Sequence, residues 1–205
     1  MGRSAAYDAY YDRKEKMNIQ HSLRFLMLPL VAIDNALPAK GIIYEIGCGM
    51  GVISLYLGKN PKRRMIGTDL NATKIKQIQV LKKSANVTFV TADAAKFKYE
   101  KCGGAVLSDF LHHVPYETQE KILKKLVAAL NKNGIIVIKE INKKDGIRMW
   151  MSRFWDLVFY PKDTIYYREK NDLRKLLSNL GLTVNVKREV PWFPGSTFLF
   201  VCRKN

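Results

Sequence analysis

The sequence predicts an α/β fold in which a mostly parallel sheet carries helices on both faces. Short apolar runs alternate along residues 42–140 with segments whose apolar residues recur at helical spacing, and this alternation is typical of parallel sheets. Several of the runs end in an acidic residue, at the edge where such sheets bind ligands. With 205 residues, the chain is long enough for one domain with a sizeable core.

The predicted elements follow one another in a regular order. The strands cover residues 42–47, 64–69, 86–91, 104–109 and 134–140. The helices between them cover residues 50–59, 72–84 and 117–131. Further along, a helical stripe of leucines precedes a closing pair of strands at 182–190 and 197–202. No shift in composition marks a boundary, so we predict a single domain over residues 1–205.

The first strand leads into a glycine turn. Gly47, Gly49 and Gly51 follow a short apolar run, and glycine lets a backbone turn sharply and approach a ligand closely. The spacing G-x-G-x-G differs from the dinucleotide pattern G-x-G-x-x-G, and residues 41–58 contain no Lys or Arg to pair with a pyrophosphate. The turn follows Glu45, and its carboxylate favours a positively charged cofactor, such as one that carries an ammonium and a sulfonium group. A tight turn without a ligand is the alternative.

The next two strands also end in acidic residues. Asp69 lies 18 residues after Gly51, close to the usual distance of the carboxylate that binds a ribose diol. Two hydroxyl donors require both oxygens of that carboxylate, so we expect both to be free. Leu70 would then lie against an adenine face. Asp93 would accept from the adenine amino group, and the Ala94 backbone N–H would reach a ring nitrogen. For each acid alone, a helix N-cap is the alternative.

At these residues the chain resembles the class I S-adenosylmethionine-dependent methyltransferases. The resemblance covers roughly residues 40 to 140, through E-I-G-C-G-M-G, G-T-D-L, T-A-D-A and the strand from Gly104. It implies a Rossmann-like sheet of seven strands with one antiparallel strand at the end, and S-adenosylmethionine as the cofactor. It places Asp69 on the ribose and Asp93 near the adenine. It also implies that Gly47, Gly49 and Gly51 line the methionine half of the cofactor and that Glu45 orders the glycine loop. The predicted cofactor contacts further include Cys48, Leu70, Ala94 and Ser108.

The end of the fourth strand carries the candidate catalytic residues. Asp109, His112 and His113 would face the transferred methyl group, and an imidazole titrates near neutral pH. We expect the histidines to act as a general base or as a hydrogen-bond partner of the substrate. A structural role for them is the alternative. The motif N/D-P-P-Y/F, which holds planar amines, is absent here. A catechol-type metal site needs several carboxylates, so we predict no metal.

Aromatic residues on both sides of this region are candidate substrate contacts. Tyr7 and Tyr11 lie in a predicted N-terminal helical lid at 1–38. Trp150 and Phe154 lie on one face of a predicted helical insertion at 141–180, on the substrate side. That face would cover an apolar substrate or contact an anionic lipid surface. Ordinary core packing is the alternative for both groups.

Composition limits the partners. The net charge is +17, which favours anionic partners such as RNA, an anionic membrane surface or an acidic small molecule. The basic residues are dispersed, so a solvated surface explains the charge equally well. The chain has 3 cysteines without metal spacing, which favours a reducing cytoplasm. We see no transmembrane run.

These observations predict a cytoplasmic methyltransferase that acts on a small acceptor with an apolar or lipid-like character. An RNA methyltransferase is the second hypothesis, since the charge favours it, although no separate binding module accompanies it. A non-catalytic cofactor-binding protein is the third. The acceptor atom, whether O, N or C, is not readable from the sequence.

Overall fold

The structure is a computed structural model that describes residues 28–81, 84–142, 144, 164–188 and 197–205. The described helices are α1 (Leu30–Ala36), α2 (Val52–Leu57), α3 (Ala72–Leu81), α4 (Tyr116–Ala129) and α5 (Lys170–Asn179). The strands are β1 (Gly41–Ile46), β2 (Arg63–Asp69), β3 (Val87–Thr91), β4 (Cys102–Ser108), β5 (Leu130–Ile141), β6 (Leu182–Arg188) and β7 (Thr197–Lys204). A short 3₁₀ helix covers Leu111–His113.

The strands form one seven-stranded sheet in the order β3-β2-β1-β4-β5-β7-β6. The first five strands, β1 through β5, pair with one another in parallel, whereas β7 runs antiparallel to both β5 and β6. The α/β class, the mostly parallel sheet and the antiparallel last strand are therefore confirmed. The reversal of strand order between β1 and β4 creates the crevice at which such sheets bind ligands.

Two apolar clusters lie on opposite faces of the sheet. One combines apolar side chains of α4 and α5, such as Leu126 and Leu177, with Ile136 and Ile138 of β5. The other combines α1, α2 and α3 with the alternate positions of the same strands. Side chains of a strand point alternately to its two faces, so a buried parallel strand needs apolar residues at almost every position. Helices on both faces, as predicted, satisfy that need.

Some boundaries differ from the predicted ones. The helix predicted at 50–59 is shorter, because Gly51 adopts a left-handed conformation and caps α2. The strand predicted at 134–140 begins at Leu130, and its register with β4 shifts between Cys102 and Gly104. In the segment predicted as a helical insertion, residues 164–169 form neither helix nor strand, and α5 begins only at Lys170.

A buried arginine joins the start of β2 to the end of α1. The Arg63 guanidinium donates to the backbone oxygens of Pro38 at 2.8 Å, Asp34 at 3.2 Å and Leu37 at 3.4 Å. It also forms an ion pair with the Asp34 carboxylate. These bonds give a donor to carbonyl groups at and just after the C-terminus of α1, where helical N–H partners run out.

The described helices are short, the longest being the 14 residues of α4. None of those in the described part of the chain is both long and apolar enough to cross a bilayer.

Candidate functional site

The glycine turn between β1 and α2 depends on three left-handed residues. Gly47, Gly49 and Gly51 have φ values of 69°, 52° and 69°. A Cβ on Gly47 would lie 2.2 Å from the Phe110 ring, and one on Gly51 would lie 2.6 Å from the Phe89 ring. A Cβ on Gly49 would meet no atom of the described residues within 4 Å. The turn therefore packs tightly on both flanks and is open at its centre, where a ligand can approach the backbone.

Glu45 orders this turn from inside the sheet. Its buried Oε2 accepts hydrogen bonds from the Ser54 backbone N–H at 2.8 Å and from Ser54 Oγ at 2.5 Å. Ser54 lies in the first turn of α2, where backbone N–H groups lack helical partners and negative charge is favourable. Glu45 thus caps α2, since its N-cap residue, Gly51, has no side chain. Contact of Glu45 with a cofactor stays a prediction.

Asp69 joins the end of β2 to the glycine turn. Its Oδ2 accepts the Gly49 N–H at 2.8 Å, and its Oδ1 accepts the Asn71 N–H at 2.8 Å. The expectation that both oxygens are free is therefore wrong. Each carboxylate oxygen has a second lone pair, so two ribose hydroxyls remain compatible with this arrangement.

The alternative reading of Asp69 as a helix N-cap does not hold. Asn71 performs that function, because its Oδ1 accepts the Lys74 backbone N–H at 3.0 Å. Leu70, directly after Asp69, is 75% exposed. Its predicted contact with an adenine ring stays a prediction.

Asp93 behaves differently. Its Oδ1 accepts the Ala95 N–H at 2.8 Å, and Lys96 Nζ lies 3.7 Å from its Oδ2. Its backbone oxygen also accepts the Phe97 N–H at 2.8 Å. Asp93 therefore stabilises the turn that follows β3. It is not a helix N-cap, because residues 94–96 form a turn and no helix begins there. Ala94 is buried beside it. The predicted adenine contacts of both residues stay predictions.

The end of β4 lies beside the glycine turn, because Phe110 packs on Gly47. Asp109 follows Ser108 and has a φ of 51°, which is unusual for a residue with a side chain. Lys139 Nζ lies 2.6 Å from Oδ1 and 2.7 Å from Oδ2 of Asp109. The structure thus brings Asp109 to the predicted place and gives it a cationic partner.

His112 and His113 occupy the 3₁₀ helix. His112 is 2% exposed, and its Nδ1 lies 2.6 Å from Glu140 Oε2. The two imidazole rings are 4.3 Å apart between centroids, and the Tyr167 ring lies 5.3 Å from that of His112. His113 is partly exposed. The catalytic roles predicted for Asp109, His112 and His113 stay predictions.

Lys139 and Glu140 belong to this site, although sequence reasoning did not select them. They are consecutive charged residues at the carboxyl end of a buried apolar strand, and both are 5% exposed. Buried charges need partners, so a Lys-Glu pair in that position is itself a signal of a functional edge. The partners come from the neighbouring strand, and their identity depends on a register that the sequence does not state.

The cysteines are buried structural residues. Burial raises the pKa of the Cys48 thiol well above its usual value, and the nearby carboxylates of Glu45 and Asp69 raise it further. Burial also raises the pKa of Cys102 to about 11 and that of Cys202 to about 12. A thiolate is the reactive form of cysteine, so these thiols are poor nucleophiles at neutral pH. Cys48 contributes packing, and its backbone N–H donates to the Thr68 backbone oxygen.

The predicted substrate contacts belong to segments that the structure does not describe. Tyr7, Tyr11, Trp150 and Phe154 lie outside the described residues. Within the described ranges, no group of three or more His, Cys, Asp and Glu side chains is arranged to hold a metal ion. The prediction that no metal takes part remains to be tested.

Residues 13–186 match a family model described as a methyltransferase domain. The chain belongs to the methyltransferase domain family. The sequence prediction of a methyltransferase is therefore confirmed, and S-adenosylmethionine as the methyl donor agrees with this family.

Several curated relatives of this methyltransferase have a more specific name. Carboxy-S-adenosyl-L-methionine synthase of Psychrobacter arcticus is 25% identical over 181 residues, which cover 78% of this chain and 68% of that protein. The synthase of the same name from Histophilus somni is 25% identical over 109 residues, 50% of this chain and 45% of its own length. An uncharacterized protein of Rickettsia prowazekii is 33% identical over 109 residues, 47% of this chain and 41% of that protein. The chain thus spans about half the length of most of these relatives.

Solved structures share the fold at low sequence identity. Human N-acetylserotonin methyltransferase in complex with SAM has a TM-score of 0.71 at 14% identity, over 100% of this chain and 60% of the other. Magnesium protoporphyrin IX methyltransferase of Synechocystis PCC 6803 with bound SAH has a TM-score of 0.66 at 18% identity, over 99% and 96%. The 1,6-didemethyltoxoflavin-N1-methyltransferase of Burkholderia thailandensis has a TM-score of 0.68 at 17% identity, over 99% and 87%.

Proposed function

We propose that this methyltransferase transfers the methyl group of S-adenosylmethionine to a small acceptor with an apolar or lipid-like character. The observation that carries the proposal is the open centre of the glycine turn. Gly49 offers backbone to a ligand there, and Asp69 and Leu70 flank it.

The residues present fit the cofactor in charge and shape. A cofactor with an ammonium and a sulfonium suits a turn between the carboxylates of Glu45 and Asp69, with no basic residue in residues 41–58. Gly47, Gly49 and Gly51 would line its methionine half, together with the backbone of Cys48 and Ser108. Asp69, Leu70, Asp93 and Ala94 would hold the ribose and adenine.

The protein's contribution to the reaction is mostly alignment. When bound, S-adenosylmethionine supplies a methyl carbon that the sulfonium makes electrophilic. The residues at the end of β4 would hold the acceptor in line with that carbon and exclude water, which can supply much of the rate enhancement. An imidazole of the 3₁₀ helix would accept a proton when the acceptor must lose one.

An apolar acceptor is supported by the surface next to this turn. A small indentation, with an enclosed volume of about 10 Å³, lies beside the 3₁₀ helix. Its apolar lining comes from Leu111, Ile141, Leu173, Phe198 and Phe200. The apolar side chains of this indentation, rather than its size, support an apolar acceptor. Three structural neighbours are named for small-molecule acceptors, so the fold accommodates such substrates.

The first test concerns the cofactor. Asp69→Ala should lower the affinity for S-adenosylmethionine at least about tenfold, because a charged hydrogen-bond acceptor contributes roughly 1.5–3 kcal/mol. Isothermal titration calorimetry measures this affinity directly. Glu100→Ala is the matched control, since it removes an exposed carboxylate that pairs only loosely with Arg64 at 3.5 Å. Equal binding by both variants would remove the ribose assignment.

The names of the relatives favour a second candidate, in which the cofactor itself is modified to a carboxylated form. A carboxylate at the reacting carbon needs a nearby cation. Lys139 reaches this edge of the sheet, but both oxygens of Asp109 already bond to it. We therefore favour methyl transfer. Mass spectrometry of the nucleoside that copurifies with the protein distinguishes the two: S-adenosylmethionine supports our proposal, and its carboxylated derivative supports the second candidate.

The net charge of +17 keeps an RNA acceptor as a further alternative. RNA binding through phosphate contacts would weaken steeply and linearly in log [salt]. Comparison of lipid and RNA extracts from cells with and without the protein, by mass spectrometry of methylated species, identifies the acceptor class. A methylated RNA nucleoside that disappears with the protein would replace our proposal.

A further inference from the structure

Two consecutive residues at the end of β5 hold the segment that carries the candidate catalytic groups. Lys139 and Glu140 follow four buried apolar residues and are themselves buried. Consecutive strand residues point to opposite faces of the sheet, so each of the two side chains reaches a different part of the turn after β4. The parallel register pairs Ser108 with Lys139, which places that turn directly beside them.

Lys139 holds the start of the turn. Its ammonium group bonds to both oxygens of Asp109, and its backbone oxygen accepts the Asp109 N–H at 3.0 Å. Two bonds to the side chain and one to the main chain support the left-handed φ of 51° at Asp109. A buried ammonium group is stable only with such a partner. The Asp109 carboxylate is thus committed to charge neutralisation and is badly placed to accept a proton from a substrate.

Glu140 holds the rest of the turn. Its Oε1 accepts the backbone N–H groups of Phe110 at 3.1 Å and Leu111 at 2.7 Å. Its Oε2 lies 2.6 Å from His112 Nδ1. A carboxylate only accepts hydrogen bonds, so Nδ1 of His112 must carry the proton. One side chain therefore fixes two main-chain groups and one imidazole.

His112 is also fixed through its main chain. Its backbone oxygen accepts the Tyr166 N–H at 2.8 Å, which ties the turn to the segment before α5. Its ring lies between Glu140, Tyr167 and His113. With 2% exposure, His112 is oriented toward the interior, whereas His113 is partly exposed.

We infer that Lys139 and Glu140 are positioning residues for the proposed methyl transfer, and that His113, rather than His112 or Asp109, meets the acceptor. The contact of His113 with an acceptor rests on the proposed function. The arrangement of the turn itself stands on the contacts above. Glu140 fixes the His112 ring by accepting its Nδ1–H, and that ring packs against His113.

One experiment tests the arrangement without any activity. Long-range ¹H–¹⁵N correlation NMR of the full chain reports which ring nitrogen of each histidine carries the proton. At neutral pH, His112 should show the neutral Nδ1–H form or the doubly protonated form. In Glu140→Gln the side-chain amide would donate toward Nδ1, so His112 should change to the Nε2–H form. An Nε2–H form of His112 in the wild-type protein would overturn the inference, whatever reaction the protein performs.

Kinetics test the roles once an acceptor is known. His113→Asn should lower kcat on the order of 100-fold, because it removes the imidazole that meets the acceptor. His112→Asn keeps an N–H group near the position of Nδ1 but loses the ring that packs against His113, so it should lower kcat less, on the order of tenfold. Glu140→Gln should lower kcat on the order of tenfold or more through misplacement, with the S-adenosylmethionine Kd unchanged. Loss of activity in His112→Asn with full activity in His113→Asn would overturn the assignment. Thermal unfolding of each variant checks that it is folded.

Discussion

Glycines of the turn illustrate how one backbone angle can serve either stability or binding. Gly49 and Gly41 both have positive φ values, 52° and 93°, and a Cβ on either would meet no atom within 4 Å in the described part of the chain. Gly41 opens β1 at the far end of the sheet from the site, whereas Gly49 lies at the centre of the turn. The pair therefore separates the cost of the backbone angle from the cost of lost ligand space.

Gly49→Ala and Gly41→Ala should destabilise the protein similarly, by about 1–2 kcal/mol each, because both force a side chain into the left-handed region. Only Gly49→Ala should weaken S-adenosylmethionine binding, since its new methyl group lies where the ligand approaches. Chemical denaturation and calorimetry measure the two effects. Equal affinities in the two variants would show that the ligand does not approach Gly49.

Buried thiols make stability depend on pH at the alkaline end. The pKa of Cys202 is raised from 9.0 to about 12 in the folded protein, because the thiol is buried. Above pH 9 the unfolded chain loses this proton while the folded chain keeps it. The stabilising contribution is therefore complete below pH 9 and is lost as the pH rises toward 12.

Cys202→Ala should accordingly show a shallower loss of stability above pH 9 than wild type, by up to about 1.4 kcal/mol per pH unit. Urea unfolding at a series of pH values measures the slope, and a constant offset from the lost sulfur does not affect it. Parallel curves for the two proteins would mean that the Cys202 thiol ionises equally in both states.

Elements of the sheet were predictable wherever a local pattern determines them. The apolar runs gave β1, β2 and β4 to within two residues, because a strand buried on both faces must be apolar at nearly every position. Asp69, the acid at the end of β2, lies beside the glycine turn, and its contact with a cofactor stays a prediction. Its bonds to Gly49 and Asn71 were missed, since they depend on how the turn folds back.

The partners of the β4 turn were not predictable from one sequence. Lys139 meets Asp109, and Glu140 meets His112, only because β5 pairs with β4 in one register. A shift of one residue would exchange the two faces and move each charge away from its partner. Asp93 shows a second limit. The sequence suggested a helix N-cap as the alternative to ligand binding, whereas in the structure Asp93 bonds to the Ala95 N–H in a turn that no helix follows.

At the level of elements, Arg63 fixes α1 against β2. Arg63→Lys should cost about 2 kcal/mol of stability, because an ammonium group cannot replace the guanidinium bonds to several backbone oxygens. Arg64→Lys is the matched control, because the Arg64 side chain, next to Arg63 in the sequence, is 56% exposed. It should change stability by no more than about 0.5 kcal/mol. Chemical denaturation measures both. Equal changes would mean that the Arg63 bonds contribute little.

Across the whole molecule, strand order assembles the site. The order β3-β2-β1-β4-β5 places the carboxyl ends of β1, β2 and β4 side by side. Residues that are far apart along the chain, such as Gly49, Asp69 and Asp109, therefore meet at one edge. The net charge of +17 over the whole chain favours anionic partners, but the site itself contains carboxylates. We infer that the cofactor is cationic even though the protein is basic.

Calorimetric titration of the wild-type chain with S-adenosylmethionine, and separately with a nicotinamide dinucleotide, measures which cofactor the glycine turn binds. We expect saturable binding of S-adenosylmethionine and no detectable heat with the dinucleotide. If the dinucleotide bound, or S-adenosylmethionine did not, the cofactor assignment would be wrong.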